Sequence, residues 1–324
     1  MSSKDENSDW QAIASQDVLI ARANMLAKIR QFFSNKNILE VDTPSLSKGT
    51  ITDIYLDALS TRSKHLNKGQ TPLYLQTSPE FAMKRLLASG MGSIYQICRA
   101  FRDDETGRYH NPEFLMLEWY RVNFNHLQLM AEMDELLVMV LDTEPADIIT
   151  YQALFLEILG VDPLEDSNEC FQKLVTEKAN GPTLTDRDEL LHCLFAVLIE
   201  PQLGKKRPLM VCDFPASQSS LARLSKQDPR VSERFEVYYK GIELANGFHE
   251  LKDADEQRKR FEQDNAQRLK LNKTQRPLDE RLLAALQSGI PDCAGVALGL
   301  DRLLMLKLNK KSIQEVMPFP IDRA

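Results

Sequence analysis

The chain has 324 residues, 43% of them hydrophobic and 27% charged, which is enough to bury the large core of a single catalytic unit. A net charge of −7 argues against a protein that grips polyanions by neutralising phosphates, and the short basic runs at Gly204-Lys205-Lys206-Arg207 and Lys310-Lys311 read as solvated surface. The five cysteines are scattered, without a Cys-x-x-Cys, and no apolar run approaches the ~20 residues that span a bilayer. Together these features predict a reduced, soluble, cytoplasmic protein without a zinc site.

Residues 1–16 read as a loose tail ahead of one catalytic domain over 17–324. Leu19, Ala23, Leu26, Ile29 and Phe33 recur at helical spacing behind Asp17, a candidate N-cap. Ile38–Val41 is a short strand ended by Thr43-Pro44, and Leu73–Thr77 is another. Pro79 opens a helix that stops before Gly90. Ile94–Phe101 and Phe114–Tyr120 form two longer strands around a polar loop, Arg102–Pro112. Four helical segments then make an insertion over about 127–205: Leu127–Leu141, Tyr151–Leu159, Cys170–Lys178 and Arg187–Ile199. Strands return at Leu209–Phe214 and within Arg234–Leu251. Helices Ala254–Lys270 and Asp279–Leu286 follow, and Val296 leads into a helix over Asp301–Leu308. Strands and helices segregated in this way predict an α+β fold with an antiparallel sheet flanked by helices.

The densest chemistry lies between Arg234 and Leu251. Turn residues around Tyr239–Gly241 predict a hairpin, and a turn centred between Tyr239 and Lys240 sets Glu236 directly opposite Glu243, ~5 Å apart at Cβ. Like charges at that distance call for a cation between them, and a hard divalent ion on oxygen ligands fits. Two solvated glutamates on an edge hairpin is the competing reading. Glu250 joins Glu243 on one face only if Gly247 marks a bulge, and Asn246 then lies beside it. Arg102 ends an apolar strand, where its planar fork suits a phosphate or carboxylate. Arg302 falls in the first turn of a helix behind Gly299. His65, His126 and His192 show no ligand spacing and read as ordinary side chains, while His249 reads as shaping the neighbouring site.

Phe101-Arg102-Asp103-Asp104-Glu105, then His110-Asn111-Pro112-Glu113-Phe114 and Glu118-Trp119-Tyr120, resemble motif 2 of the class II aminoacyl-tRNA synthetases, lysyl subgroup. Gly295 to Arg302 resembles motif 3, and Leu39 to Pro44 resembles motif 1, whose proline lies at that family's homodimer interface. Motif 1 stands near residue 38, without the anticodon-binding barrel that precedes it in lysyl enzymes. The resemblance is closer to the short paralogues that activate (R)-β-lysine with ATP and transfer it to a lysine ε-amino group of elongation factor P. Phe214–Leu221 and Arg108-Tyr109-His110 carry that likeness. It implies ATP and Mg²⁺ as cofactors, elongation factor P and (R)-β-lysine or lysine as partners, a homodimer, and neither tRNA nor membrane.

Carried across by position, the resemblance assigns Arg102 to the α-phosphate and the substrate carboxylate, and Arg302 to the γ-phosphate. Asp103, Asp104, Asn111, Glu243, Leu244 and Gly299 match ATP-contacting positions, and Glu236 and Glu243 match the metal pair. Glu250 and Tyr120 match the holders of the distal amine. Ser78, Pro79 and Glu80 match the surroundings of the nearer amine, and Asn246 matches a carboxylate partner. Two positions depart from the lysyl pattern. Asp104 stands where glutamate is usual, and Ala297 stands for glycine, an added methyl that fits a shifted amine. A tRNA-charging enzyme and a silent amino-acid-binding paralogue are the rival readings. The retention of Arg102, Glu236, Glu243 and Arg302 speaks against the silent one.

Overall fold

The computed structural model describes residues 10–66, 68, 70–103 and 106–324. The chain divides into two compact units. One runs to Trp119 and resumes over Asp253–Pro291 and Ala297–Ala324, and the other takes Tyr120–Lys252 with Asp292–Val296.

The first unit opens with α1 (Gln16–Asn35), which follows Ser15 rather than Asp17 and buries Val18, Met25, Ile29 and Phe33 along one stripe. Of the predicted positions, Ile29 and Phe33 are buried, Leu19 and Leu26 lie half-buried at its margin and Ala23 is exposed. The Phe33 ring stacks on Tyr95 at 4.3 Å and meets Trp119 edge-on at 5.4 Å, so α1 is tied to the strands by aromatic contact. Strand β1 (Leu39–Glu40) follows, then β2 (Leu46–Ser47), β3 (Ser60–Arg62) and β4 (Pro72–Leu75). The last three form a small sheet in the order β2-β4-β3. Helix α2 (Glu80–Ala88) starts behind Pro79, as predicted, and leads to β5 (Ile94–Phe101), which pairs in parallel with β1. Strand β6 (Glu113–Val122) begins in this unit and ends in the other.

In the second unit α3 (His126–Leu141) begins with a capping box in which Asn125 accepts from the backbone of Gln128 and Gln128 accepts from that of Asn125. It ends at Asp142 in the left-handed conformation. Strand β7 (Asp147–Thr150), missed in the sequence because the helical pattern on either side hides it, pairs in parallel with β8 (Leu209–Pro215). Between them lie α4 (Tyr151–Leu159), α5 (Asn168–Lys178) and α6 (Arg187–Leu194), whose last turn widens to a π-helix over Phe195–Ile199. These helices bury Tyr151, Phe155, Phe171 and Phe195 against Phe214 and Tyr238 of the strands. Strands β8, β9 (Val231–Tyr239) and β10 (Ile242–His249) run antiparallel in succession.

The chain then returns to the first unit through α7 (Ala254–Lys270), capped by Asp253, and α8 (Glu280–Ser288), capped by Asp279. Strand β11 (Cys293–Gly299) crosses between the units and feeds α9 (Leu300–Lys307). The α+β class and the mainly antiparallel strand pairing are those predicted, with parallel pairs at β1/β5 and β7/β8 as additions. No helix among the described residues is long and apolar enough to cross a membrane.

Candidate active site

In the first unit, the loop between β5 and β6 is fixed at both ends. Arg102 N donates to Pro112 O (2.9 Å), and Asp103 N donates to Asp57 O (2.9 Å). Asp57 is itself clamped: its carboxylate accepts from buried Arg268 (2.5 Å) and from Arg276 (2.7 Å), with Lys273 at 3.5 Å. Partial burial works to raise the Asp57 pKa, but the guanidinium bonds win and hold it at about 2. The Arg102 guanidinium lies over the Phe114 ring at 5.1 Å, where a strand-end arginine keeps its fork oriented. Asp104 lies outside the described residues.

Asn111 is buried and uses both ends of its amide, donating to Glu113 O (2.6 Å) and accepting from Ile321 N (2.9 Å). It therefore joins the loop to the C-terminal segment. Arg302 donates from Nε to Tyr109 O (3.1 Å) and contacts the His110 ring, so α9 holds the far side of the same loop. Asp301, 2% exposed, locks that helix in place by accepting from Arg22 and from Leu115 N, each at 2.7 Å. Gly299 is the N-cap of α9 at φ −75°, a conformation that does not by itself demand glycine.

Ser78 and Glu80 belong to a compact relay at the start of α2. The Ser78 hydroxyl donates to Glu118 (2.7 Å) and accepts from Glu80 N (3.0 Å). The Glu80 carboxylate accepts from Lys84 Nζ at 2.6 Å, one helical turn on, and Lys84 is 1% exposed. Lys84 went unremarked in the sequence, although its (i, i+4) spacing from Glu80 was the available signal.

In the second unit, the hairpin corrects the predicted register. Lys240 and Gly241 both have positive φ, 53° and 72°, and form the two-residue turn between Tyr239 and Ile242. Glu243 therefore faces Tyr238, and Glu236 faces Asn246. The bulge lies between Glu243 and Ala245, not at Gly247. Without the extra residue there, Asn246 would oppose Phe235 and point to the other face. Alternation beyond the bulge returns Glu250 to the face of Glu243, the outcome expected from a bulge placed elsewhere. The glycine at 247 serves packing instead, since a Cβ there would lie 2.5 Å from the Phe235 ring. Buried Leu244 is the residue at the bulge.

Glu236 and Glu243 still share a face of the hairpin, now as diagonal neighbours across Tyr238. The cation beside Glu236 is Arg234, two residues earlier on the same strand face, which also donates to Asn246 Oδ1 (3.2 Å) and Gln218 O (2.6 Å). The Tyr238 hydroxyl donates to the other Glu236 oxygen. Complete burial first, and then the negative charge of Glu236 and Glu243, push the Tyr238 phenol far up and keep it a donor. Neither Arg234 nor Tyr238 was singled out in the sequence, though the period of two was its signature.

Tyr120 and Glu250, 2% and 1% exposed, meet over Gly295. A Cβ at Gly295 would stand 2.3 Å from Tyr120 Cε1 and 2.7 Å from Glu250 Oε1, so a bare backbone lets the ring and carboxylate close on one spot. Glu250 N donates to Cys293 O (3.0 Å), which fixes the strand end. An aromatic wall beside a buried anion suits an alkylammonium group.

On the opposite face of the hairpin, Glu233 lies between two imidazoles. His249 Nδ1 is 2.6 Å and His126 Nδ1 3.6 Å from Glu233 Oε2, and Arg223 Nε donates to the same oxygen at 2.9 Å. Burial foremost lowers the pKa of both histidines, against the pull of Glu233, and favours neutral rings. No local spacing announces this cluster, because its members lie far apart along the chain.

Residues 4–323 match the family model described as tRNA synthetases class II (D, K and N). The chain is 52% identical over 319 residues to a protein of Edwardsiella ictaluri (97% of this chain, 98% of the relative). It is 51% identical over 324 residues to one of Salmonella typhi (98% and 99%). A protein of Vibrio cholerae is 52% identical over 323 residues (98% and 99%). All three relatives bear the name elongation factor P--(R)-beta-lysine ligase.

Proposed function

As the chain belongs to the class II tRNA synthetase family (D, K and N), we infer that it is the ligase that activates (R)-β-lysine with ATP and joins it to elongation factor P. The observation that carries this reading is half-identity over nearly the full length of relatives so named, on both sides of the comparison. The buried Tyr120–Glu250 pair supports it chemically, as a holder for the distal ammonium of a diamine.

The substrate carboxylate, already ionised, attacks the α-phosphorus of ATP. An oxygen–phosphorus bond forms, pyrophosphate leaves, and an aminoacyl-adenylate remains. Arg102 neutralises the α-phosphate and the incoming carboxylate, and Arg302 the γ-phosphate. Asp103, Asp104, Asn111, Leu244 and Gly299 are assigned to ATP, with Asn111 acting through the loop shape it holds. Glu236 and Glu243 offer oxygen donors on one hairpin face, a set that fits Mg²⁺, and Arg234 and Tyr238 orient Glu236. Bound there, Mg²⁺ supplies positive charge against the departing pyrophosphate. Asn246 takes the substrate carboxylate, and Ser78, Pro79 and Glu80 surround the nearer amine. In the second step the acceptor lysine, as free amine, attacks the adenylate carbonyl, the amide forms and AMP leaves.

A substrate without the distal ammonium forgoes the charged contact with Glu250, at a cost of about 1–3 kcal/mol. The acceptor is a translation factor, so the reaction belongs to the cytoplasm, with no tRNA required. The proposed homodimer is supported by Leu39 and Leu46, which stand exposed on either side of Thr43-Pro44. The test is ATP–pyrophosphate exchange with α-lysine, (R)-β-lysine and (S)-β-lysine, followed by label transfer to purified elongation factor P and, in parallel, to tRNA. Exchange strongest with (R)-β-lysine and label on elongation factor P are expected. Label on tRNA, or exchange without preference for a diamine, overturns the reading.

A further inference from the structure

The Glu233 cluster takes no part in the adenylate chemistry. Glu236, Asn246 and Glu243 occupy one face of the β9–β10 hairpin, and Glu233 and His249 occupy the other. We propose that His126, Glu233 and His249 form a binding site for a zinc-type divalent ion, outside the nucleotide and amino-acid site.

Three separate elements bring these residues together: the start of α3, the beginning of β9 and the end of β10. They are 9%, 7% and 2% exposed, so the donors sit in a wall of protein. One ligand atom from each lies within 4.8 Å of the other two. Tetrahedral zinc with bonds of 2.0–2.2 Å holds its ligand atoms ~3.3 Å apart, so contraction by up to about 1.5 Å on one side and opening of the 2.6 Å contact by about 0.7 Å complete the geometry. Two imidazoles and one carboxylate are three protein ligands, the number that leaves a fourth position for water. Imidazole donors select zinc-class metals over magnesium.

A second observation comes from the far side of each ring. Both histidines turn Nδ1 toward Glu233 and Nε2 toward a further carboxylate. His249 Nε2 lies 3.3 Å from Asp292 Oδ1, and His126 Nε2 lies 4.0 Å from Asp213 Oδ1. A carboxylate behind a histidine, fixing its tautomer and ring orientation, is the arrangement that supports metal-bound imidazoles. Asp213 reaches its place from a bulge in β8, between Cys212 and Phe214, at a φ of 57°. Aspartate tolerates that conformation better than most residues, and the bulge re-aims its side chain. Arg223 is the rival cation. It donates to Glu233 Oε2 and also reaches Asp292 Oδ1 at 3.2 Å, so the ion shares Glu233 with a guanidinium and binds less tightly than at an isolated site.

Bound there, the ion ties α3 to the residue immediately before Glu250 and so stiffens the end of β10. This does not depend on which amino acid is activated, and the test needs no turnover. The full chain, dialysed against a chelator, is titrated with Zn²⁺ and with Co²⁺ near neutral pH in excess Mg²⁺. Metal content, the visible spectrum of the cobalt form and the thermal midpoint are recorded. Expected are one equivalent per chain, the intense visible bands of four-coordinate cobalt and a raised midpoint. His126→Gln and His249→Asn should each abolish stoichiometric binding, Asp292→Asn should weaken it 10–100-fold, and His65→Gln should leave it unchanged. Should the ligand variants fail to fold, the cobalt spectrum of the unaltered chain decides alone. Absence of saturable binding to that chain, or binding retained in the folded His126→Gln/His249→Asn double variant, overturns the proposal and leaves the cluster a hydrogen-bond network.

Discussion

Gly295→Ala tests the pairing of Tyr120 with Glu250 directly. The added methyl would lie 2.3 and 2.4 Å from Tyr120 Cε1 and Cδ1, and 2.7 Å from Glu250 Oε1. The ring must therefore retreat by about 1 Å to reach an ordinary contact, and with both side chains at 2% exposure or less it has nowhere to go. Overpacking of this kind costs about 1–3 kcal/mol of stability, and a carboxylate pushed off its ammonium costs a similar amount in binding. The second term corresponds to about a 5- to 150-fold loss in kcat/KM for the diamine. ATP–pyrophosphate exchange at varied amino-acid concentration measures it, with a thermal melt on the same sample. The loss should fall on the amino acid and leave the KM for ATP nearly unchanged. A folded variant with unaltered kcat/KM for the amino acid would falsify the claim that these two residues close on the substrate.

Three further outcomes are expected. Ala297→Gly removes the methyl that distinguishes this chain from the lysyl pattern and should shift exchange activity toward α-lysine; an unchanged ratio of α- to β-lysine activity removes that explanation. Arg234→Met strands Glu236 beside one phenol and should cost about 3–5 kcal/mol in urea unfolding. Arg234→Met/Glu236→Gln should recover part of that cost, and a double variant as unstable as the sum of its parts contradicts the pairing. Asp57, with a folded pKa of about 2, below its unfolded value near 3.9, stabilises the protein fully above the unfolded value and loses that contribution as pH falls toward 2. Discounted for solvent screening of a partly open carboxylate, the linkage is worth about 1 kcal/mol, so Asp57→Asn should flatten the stability profile between about pH 4 and pH 2. A profile as steep as that of the unaltered chain rules out this clamp.

The sequence by itself determined most elements, because hydrophobic period and capping chemistry are local. Tyr151–Leu159, Ile94–Phe101 and Ala254–Lys270 came out at their predicted bounds. Arg102 was also legible, as a guanidinium at the end of an apolar strand, and Arg302 by its place in the first turn of a helix, whereas Asn111 came only from the resemblance of its motif. Only the tertiary structure decided the hairpin. Tyr239-Lys240-Gly241 lacks the Asn-Gly signature of a two-residue turn, so the turn centre was placed one residue early, and a bulge adds one more step between the strands. Because side chains alternate with period two, those small offsets moved Asn246 opposite Glu236 and set Glu243 beside Tyr238. The same limit hid His126, Glu233 and His249, which share no local spacing and meet only when α3 packs near the β9–β10 hairpin. Local propensity is written into neighbouring residues, whereas register and long-range encounters depend on how whole elements settle against one another.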